Sequence, residues 1–457
     1  MKLKSQAVTL QPTLRKTLGV FDGIAILIGI TIGAGIYSTP QIIAEYHESF
    51  STIVFYWILV GGFVFIGGLI YAELGTRLPN TGGEYIYINK CFGPFAGFIF
   101  GWAQLFIIRT SATAGLAIII ADYLGYFVTL DTWHRNLVAL LVIVLLGTLN
   151  YVDIRSASFY QKISTILKIV GLLLLVCIGL FLLKGQENNL SSREPPTGSL
   201  GPIGNAVAAL MLIVFSYTGW DRVGYVAGEM KNPKRAIPLS MFIGIGFIVT
   251  IYALINMIYH KTLGMEGVRE STIVASDMAI RLMGPVGAGF IAILAIISAS
   301  GSINGTTMTA SRVYYAMAKN GLFLKWFNYV HPKFRTPSRA ILAHCIWAAV
   351  ILIVRGRFEN IAAGMVFAVL IFYTITTLAL FKLRKQGVGG KQIYRVPLYP
   401  VLPCIYLVGI VILLILRAFF EWEKSLIDLA FIATGIPVYL FWYKKNKRIS
   451  FKQKFNQ

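Results

Sequence analysis

The chain has 457 residues, of which 56% are hydrophobic and only 13% charged, with a mean hydropathy of +0.71 and a formal net charge of +22. Apolar stretches of roughly 20 residues, long enough to cross a bilayer core as a helix, recur along its length and exclude a soluble globular enzyme. The positive charge does not mark a nucleic-acid binder, because it gathers in connections on one side of the apolar runs.

The pattern predicts about twelve spans, at residues 20–45, 50–77, 93–124, 134–151, 158–183, 203–229, 237–260, 284–314, 340–354, 360–382, 399–420 and 426–443. No short apolar stretch with a small-residue cleavage signature precedes the first, so no removable signal peptide is expected. The longest connections, 184–202, 261–283, 315–339 and 383–398, are too small for an ordinary soluble domain. With the N-terminus inside, Arg15, Lys16, Lys231, Lys234, Lys319, Lys333, Arg384 and Lys385 fall on the cytoplasmic side together with a basic tail. Glu45, Glu48, Asp131, Glu187 and Glu423 fall on the other. This asymmetry orients membrane helices, puts both termini in the cytosol and makes the lipid bilayer the partner of the charge.

The first span contains "GITIGAGIYSTP", Gly29 to Pro40. Backbone groups leave helical pairing at bilayer depth only where they line a cavity or meet protein. Gly33 and Gly35 tolerate the dihedrals of such a break and let a ligand approach. In secondary transporters the half-helix ends so created offer N–H donors to an anionic group and carbonyls to a cation. Close helix–helix packing explains small residues equally well, and the stretch alone leaves both readings open.

In the third span Arg109 lies at membrane depth, and in the fifth Lys168 interrupts "STILKIVGLLLL". An ammonium there costs about 2.5–3.5 kcal/mol on insertion scales, so it either faces the bundle interior with a partner or snorkels to the interface about two turns away. The sixth span holds "IVFSYTGWDRVGY", where Ser216, Tyr217, Thr218, Gly219 and Trp220 interrupt the apolar run. Spans one and six are the pair that an inverted repeat of five helices would break. Cys91, Cys177, Cys345 and Cys404 suggest neither an external disulfide nor a metal site, and the five histidines form no ligand cluster. Without a phosphate-binding loop or paired catalytic set, no enzyme, cofactor or metal is expected.

Several long motifs resemble one family. They are "IGAGIYSTP" in the first span, "YAELGTRLPNTGGEYIYINKCFGPFAGFIFGW" at 71–102, "LFIIRTS" at 105–111, "FSYTGWDRVGYVAGEMKNPKRAIP" at 215–238, "GSINGTTMTASRVYYAMAKNGLF" at 301–323 and "HPKFRTPSRAIL" at 331–342. In this order they resemble the amino acid–polyamine–organocation transporters, and within them the L-type amino acid transporters and their bacterial members.

The resemblance implies an all-α integral membrane protein with a LeuT-type fold of two inverted five-helix repeats and broken helices 1 and 6. Its parts would be a cytoplasmic segment at 1–19, repeats at 20–183 and 203–382, peripheral helices at 399–443 and a basic tail at 444–457. It implies an amino acid held at Thr31, Ile32, Gly33, Ala34 and Gly35 and at Phe215, Ser216, Tyr217 and Thr218. Amides near Ala34 and Gly35 would take the carboxylate, carbonyls near Thr31, Phe215 and Tyr217 or Thr218 would take the ammonium, and Phe215 would cover the substrate. Lys168 would stand where sodium-coupled relatives bind a cation, linking helices one and eight. That implies sodium-independent exchange, with proton symport through Lys168 as the alternative and a transporter-like sensor as another class.

Arg109 would form a structural or gating ion pair, or else touch substrate. Asp221 and Arg222 would join an intracellular gate, or else be solvated in the cytoplasmic vestibule. Asn304 would bond the unwound backbone. Ala34 stands where many relatives have serine and Thr218 where the L-type pattern often has glycine, which points to small neutral amino acids such as alanine, serine or threonine. The external loop "YFVTLDTWHRN" at 126–136 lacks the cysteine that joins light subunits to a heavy subunit, so no disulfide-linked partner is expected. The expected location is the cell membrane.

Overall fold

A computed structural model of the chain describes residues 14–33, 35–182, 200–271, 273–355, 358–390 and 393–442. Ala34, the basic tail and most of the N-terminal segment lie outside the described residues. Among the described residues the chain is helical with no strand, apart from one isolated bridge between Leu18 and Met230.

The first expected span is two helices, α1 (Val20–Thr31) and α2 (Gly35–Tyr46), followed by α3 (Phe50–Arg77). The third is α4 (Glu84–Ala103), a π-helical turn at Gln104–Ile108 and α5 (Arg109–Leu124). Next come α6 (Thr132–Val152), α7 (Ile154–Leu182) and α8 (Gly201–Tyr217), which gives way to a 3-10 stretch at Trp220–Glu229. Then follow α9 (Pro233–Glu270), α10 (Val274–Met283), α11 (Pro285–Lys319), α12 (Ser338–Arg355) and α13 (Phe358–Lys385). The chain closes with α14 (Val401–Phe420) and α15 (Trp422–Ala433). Among the described residues ten helical runs are long and apolar enough to cross a bilayer, and two shorter apolar helices, Val20–Thr31 and Ser338–Val354, accompany them. Each of the twelve expected spans overlaps one of these.

The helices overrun the expected boundaries where polar ends continue an apolar core. α4 begins nine residues before the expected start at 93, and Gly93, at φ +84° ahead of Pro94, marks the kink between its polar and apolar parts. α9 continues past 260 through a kink at Gly264. The connection at 261–283 is therefore mostly helical, because α10 occupies its second half.

α1 and α11 form the centre of the bundle. Every residue from Ala25 to Thr31 and from Ser298 to Ala318 is buried, as expected for helices packed on all sides. α14 lies at the periphery, with Ile415 and Phe419 exposed on its outer face. α2 contains Pro40, whose missing N–H leaves the Ile36 carbonyl without its helical donor. The Tyr259 hydroxyl of α9 donates to that carbonyl at 3.3 Å, so the helix persists through the proline.

Candidate functional site

Two interrupted helices meet at the centre. α1 ends at Thr31, the chain leaves helical geometry at Ile32 (ψ 84°), and Gly33 N–H turns back to the Thr31 carbonyl at 2.8 Å before α2 begins. In the sixth span α8 ends at Tyr217, Thr218 is extended (φ −61°, ψ 139°), and Gly219 takes φ +121° before the 3-10 stretch. The breaks touch backbone to backbone. A Cβ on Gly35 would lie 2.7 Å from Ser216 Cα, and one on Gly219 would lie 2.9 Å from Ile30 Cγ2 and 3.1 Å from Thr31 N. Both readings of the glycine-rich stretch therefore hold, and they coincide at Gly35. Gly29 serves packing, since a Cβ there would strike Gln161 and Thr165 of α7, whereas Gly33 and Gly35 line a cavity.

The freed carbonyls at the end of α1 are fully accounted for, as buried backbone must be. Lys168 Nζ donates to Gly29 O at 2.9 Å, to Ile32 O at 2.5 Å and to Ser298 O at 3.1 Å. Ser298 Oγ donates to Ile32 O at 2.8 Å, and Ser302 Oγ lies within reach of Gly29 O (2.9 Å) and Ile30 O (3.2 Å). The Tyr252 hydroxyl sits between the breaks, 3.0 Å from Thr31 O and 2.9 Å from Ser216 O, donating to one at a time. Lys168 is completely buried, so the snorkelling alternative fails; its three donors meet three carbonyls of α1, the break and α11. Among the described residues no carboxylate lies within ion-pair distance of it.

A cavity of about 70 Å³ opens between the breaks. Of the residues expected at the site, Thr31, Gly33, Gly35, Phe215, Ser216, Thr218, Arg109 and Arg222 line it. Ile32, Tyr217, Lys168, Asp221 and Asn304 do not. Tyr217 turns away, its hydroxyl donating to Trp57 O at 3.3 Å, and Lys168 lies behind the broken backbone. The motifs did not single out Ser111 and Leu116 of α5, Ser302 and Thr306 of α11, or Met365 of α13, which also face the cavity. Small hydroxyl residues on an apolar helix carry no signal of which way they point, although the quoted "LFIIRTS" and "GSINGTT" contain Ser111, Ser302 and Thr306. Thr31 Oγ1 is buried with no partner among the described residues, which leaves it free for a ligand.

Beside the cavity lies a buried charged cluster. Arg109 follows the π-helical turn and places its guanidinium 3.3 Å from Asp221 Oδ2, which Arg222 Nε approaches to 2.8 Å, while the Tyr373 hydroxyl donates to Asp221 Oδ1 at 3.1 Å. π-helical turns recur at functional sites because they re-aim side chains. Asp221 and Arg222 are both buried, so the reading that solvates them in a vestibule is overturned. Arg109 is held in an ion pair as well as lining the cavity.

Asn304 does not bond the unwound backbone. Its amide donates to Ala157 O (3.0 Å) and Gln161 Oε1 (2.7 Å) of α7 and accepts from Asn150 of α6 (2.8 Å), tying three helices together. Ser298 and Ser302, six and two residues before it on α11, take the expected role, since their short side chains reach carbonyls that Asn304 faces away from.

Residues 18–441 match the family model described as amino acid permease. The chain is 29% identical over 437 residues to the serine/threonine exchanger SteT of Bacillus subtilis (strain 168), covering 95% of this chain and 98% of that protein. It is 30% identical over 442 residues to the b(0,+)-type amino acid transporter 1 of Mus musculus (95% and 89%). To the large neutral amino acids transporter small subunit 2 of Homo sapiens it is 29% identical over 446 residues (96% and 83%). With its bilayer-length helices and paired helix breaks, the chain is a multi-pass membrane protein that belongs to the amino acid permease family.

Proposed function

We propose that this permease exchanges small neutral L-amino acids across the cell membrane by alternating access, without sodium and without a disulfide-linked heavy subunit. One observation carries the reading: both helix breaks line a single small cavity while Lys168 fills the carbonyl cage behind it. The free amino acid takes its place with its carboxylate at the α2 N-terminus, where Gly35 and the following amides begin a helix dipole. Its ammonium lies toward the carbonyl ends of α1 and α8, near Thr31 and Phe215, and Phe215 and Thr218 bound its side chain.

The cavity volume supports a small substrate. About 70 Å³ is several times the roughly 10–15 Å³ that one water needs, a space for a few heavy atoms and not for an indole. The chain's likeness to a serine/threonine exchanger supports a neutral side chain. Lys168, held by neutral carbonyls, acts as a fixed cation in place of sodium. The two inverted five-helix repeats at 20–183 and 203–382 provide the symmetry for the two states, with 399–443 peripheral and both termini in the cytosol.

Uptake of radiolabelled L-alanine into proteoliposomes tests this. Entry only into vesicles preloaded with unlabelled amino acid, unaffected by replacing sodium and competed by serine and threonine far better than by tryptophan, is expected. Uptake into empty vesicles under an inward proton gradient would replace exchange by symport, and no uptake of any amino acid would return the protein to the sensor class.

A further inference from the structure

A second cavity, of about 190 Å³, lies between α3, α8, α13 and α14. It is more than twice as large as the one between the breaks and is lined almost entirely by hydrocarbon. Leu59 and Ile412, both exposed, stand at its rim, and α14 carries the exposed Ile415 and Phe419 on the same outer side. Val64, Val207 and Ile410, all buried, form its depth, Leu210, Val214 and Leu413 line its part-exposed wall, and the buried Trp220 and Tyr373 close its inner end. All four helices are bilayer-length, so the mouth opens sideways into the membrane and not toward water.

An apolar cavity of this size offers water no partners; cavities of about 150 Å³ lined by aliphatic and aromatic side chains stay dry and take up apolar guests. Inside a bilayer the guest at hand is hydrocarbon. We infer that this lateral cavity is a binding site for one acyl chain of a membrane phospholipid.

The site adjoins the second helix break. Val214 immediately precedes Phe215, and Trp220 immediately follows Gly219. The Trp220 ring packs on Tyr71 (centroids 4.7 Å) and on Tyr373 (5.1 Å), and Tyr373 holds Asp221 through its hydroxyl. A seated chain therefore rests on the side chains that brace the sixth span at its break, giving the lipid a direct contact with that element.

The test uses the full chain in proteoliposomes containing a phosphatidylcholine with a diazirine in the middle of one acyl chain. After irradiation, digestion and mass spectrometry, adducts are expected at the buried Val64, Val207 and Ile410 as well as at the exposed Ile415. The cavity-filling variants Leu413→Trp and Leu210→Trp, made separately so that one suffices if the other does not fold, should each lower adducts at the buried Val207 at least tenfold. Those at Ile415 should be unchanged. Adducts confined to Ile415 and other exposed positions, or inner adducts that survive both fillings, would overturn the assignment. Labelling reads occupancy without transport, so its outcome is independent of which solute the permease carries.

Discussion

Lys168 shows what a single buried charge does in this fold. Its ammonium has no carboxylate partner among the described residues, yet its three protons meet two carbonyls at the helix break, Gly29 O and Ile32 O, and Ser298 O of α11. Replacing it by alanine strips donors from Gly29, Ile32 and Ser298, at roughly 1–3 kcal/mol for each carbonyl left unsatisfied. Ser298 and Ser302 still serve two of these, so Lys168→Ala should remain folded, with uptake reduced by at least an order of magnitude. A size-exclusion profile beside an uptake assay separates the two effects, and full uptake would remove Lys168 from the mechanism. Gly219 is as exacting for the opposite reason. Its φ of +121° is strained for any side chain, and a Cβ there meets Thr31 N at 3.1 Å. Gly219→Ala should abolish exchange by pushing the two breaks apart. Thr218→Gly, which removes a side chain from the cavity wall, should instead widen selectivity, read as a rise in competition by leucine relative to alanine.

At the scale of elements, the interrupted helices are stabilised by neighbours that the motifs did not identify. The Tyr252 hydroxyl, completely buried, lies within 3.0 Å of carbonyls from both breaks, and Tyr259 takes over the bond that Pro40 removes from α2. Tyr252→Phe keeps the packing and loses only this hydroxyl. It should cost about 1–3 kcal/mol as an unsatisfied buried carbonyl, visible as a lower thermal midpoint in detergent. An unchanged midpoint would mean that the hydroxyl contributes nothing. The first break was legible because glycine and proline mark departures from helix in any context. The second was fainter, since Ser216, Tyr217 and Thr218 are tolerated inside helices and only Gly219, at positive φ, requires a break. The π-helical turn before Arg109 was not legible at all. "QLFII" has ordinary helical composition, and the Thr110 hydroxyl's bond to Leu105 O, five residues back at 2.7 Å, accompanies the wider turn without any mark in the pattern.

Across the whole molecule, length and hydropathy foretold an all-helical membrane protein and nearly every span, because the bilayer imposes one simple requirement on each. Side-chain partnerships across the bundle depend on helix rotation, which hydropathy does not encode, and so Asn304 was assigned to the wrong helix pair. The same applies to Glu229 and Arg312, which form a fully buried bidentate pair at 2.8 and 3.0 Å between the 3-10 stretch and α11. Next to it, Thr17 and Leu18 donate their N–H groups to Glu229 O, tying the segment before α1 to the end of the sixth span. Removing one member of a buried pair costs about 3–5 kcal/mol because the other charge is left uncompensated. Glu229→Gln should therefore lower the thermal midpoint strongly, and the double variant Glu229→Gln/Arg312→Met should recover much of the loss. Additive losses would show that the two residues act separately.

Exchange through one central site requires amino acid on both sides of the membrane, and trans-stimulated efflux reads that requirement. Proteoliposomes loaded with radiolabelled L-serine are diluted into sodium-free buffer with or without external L-alanine. Rapid loss of label only when alanine is outside is the predicted result. Loss at the same rate into buffer containing no amino acid would contradict it.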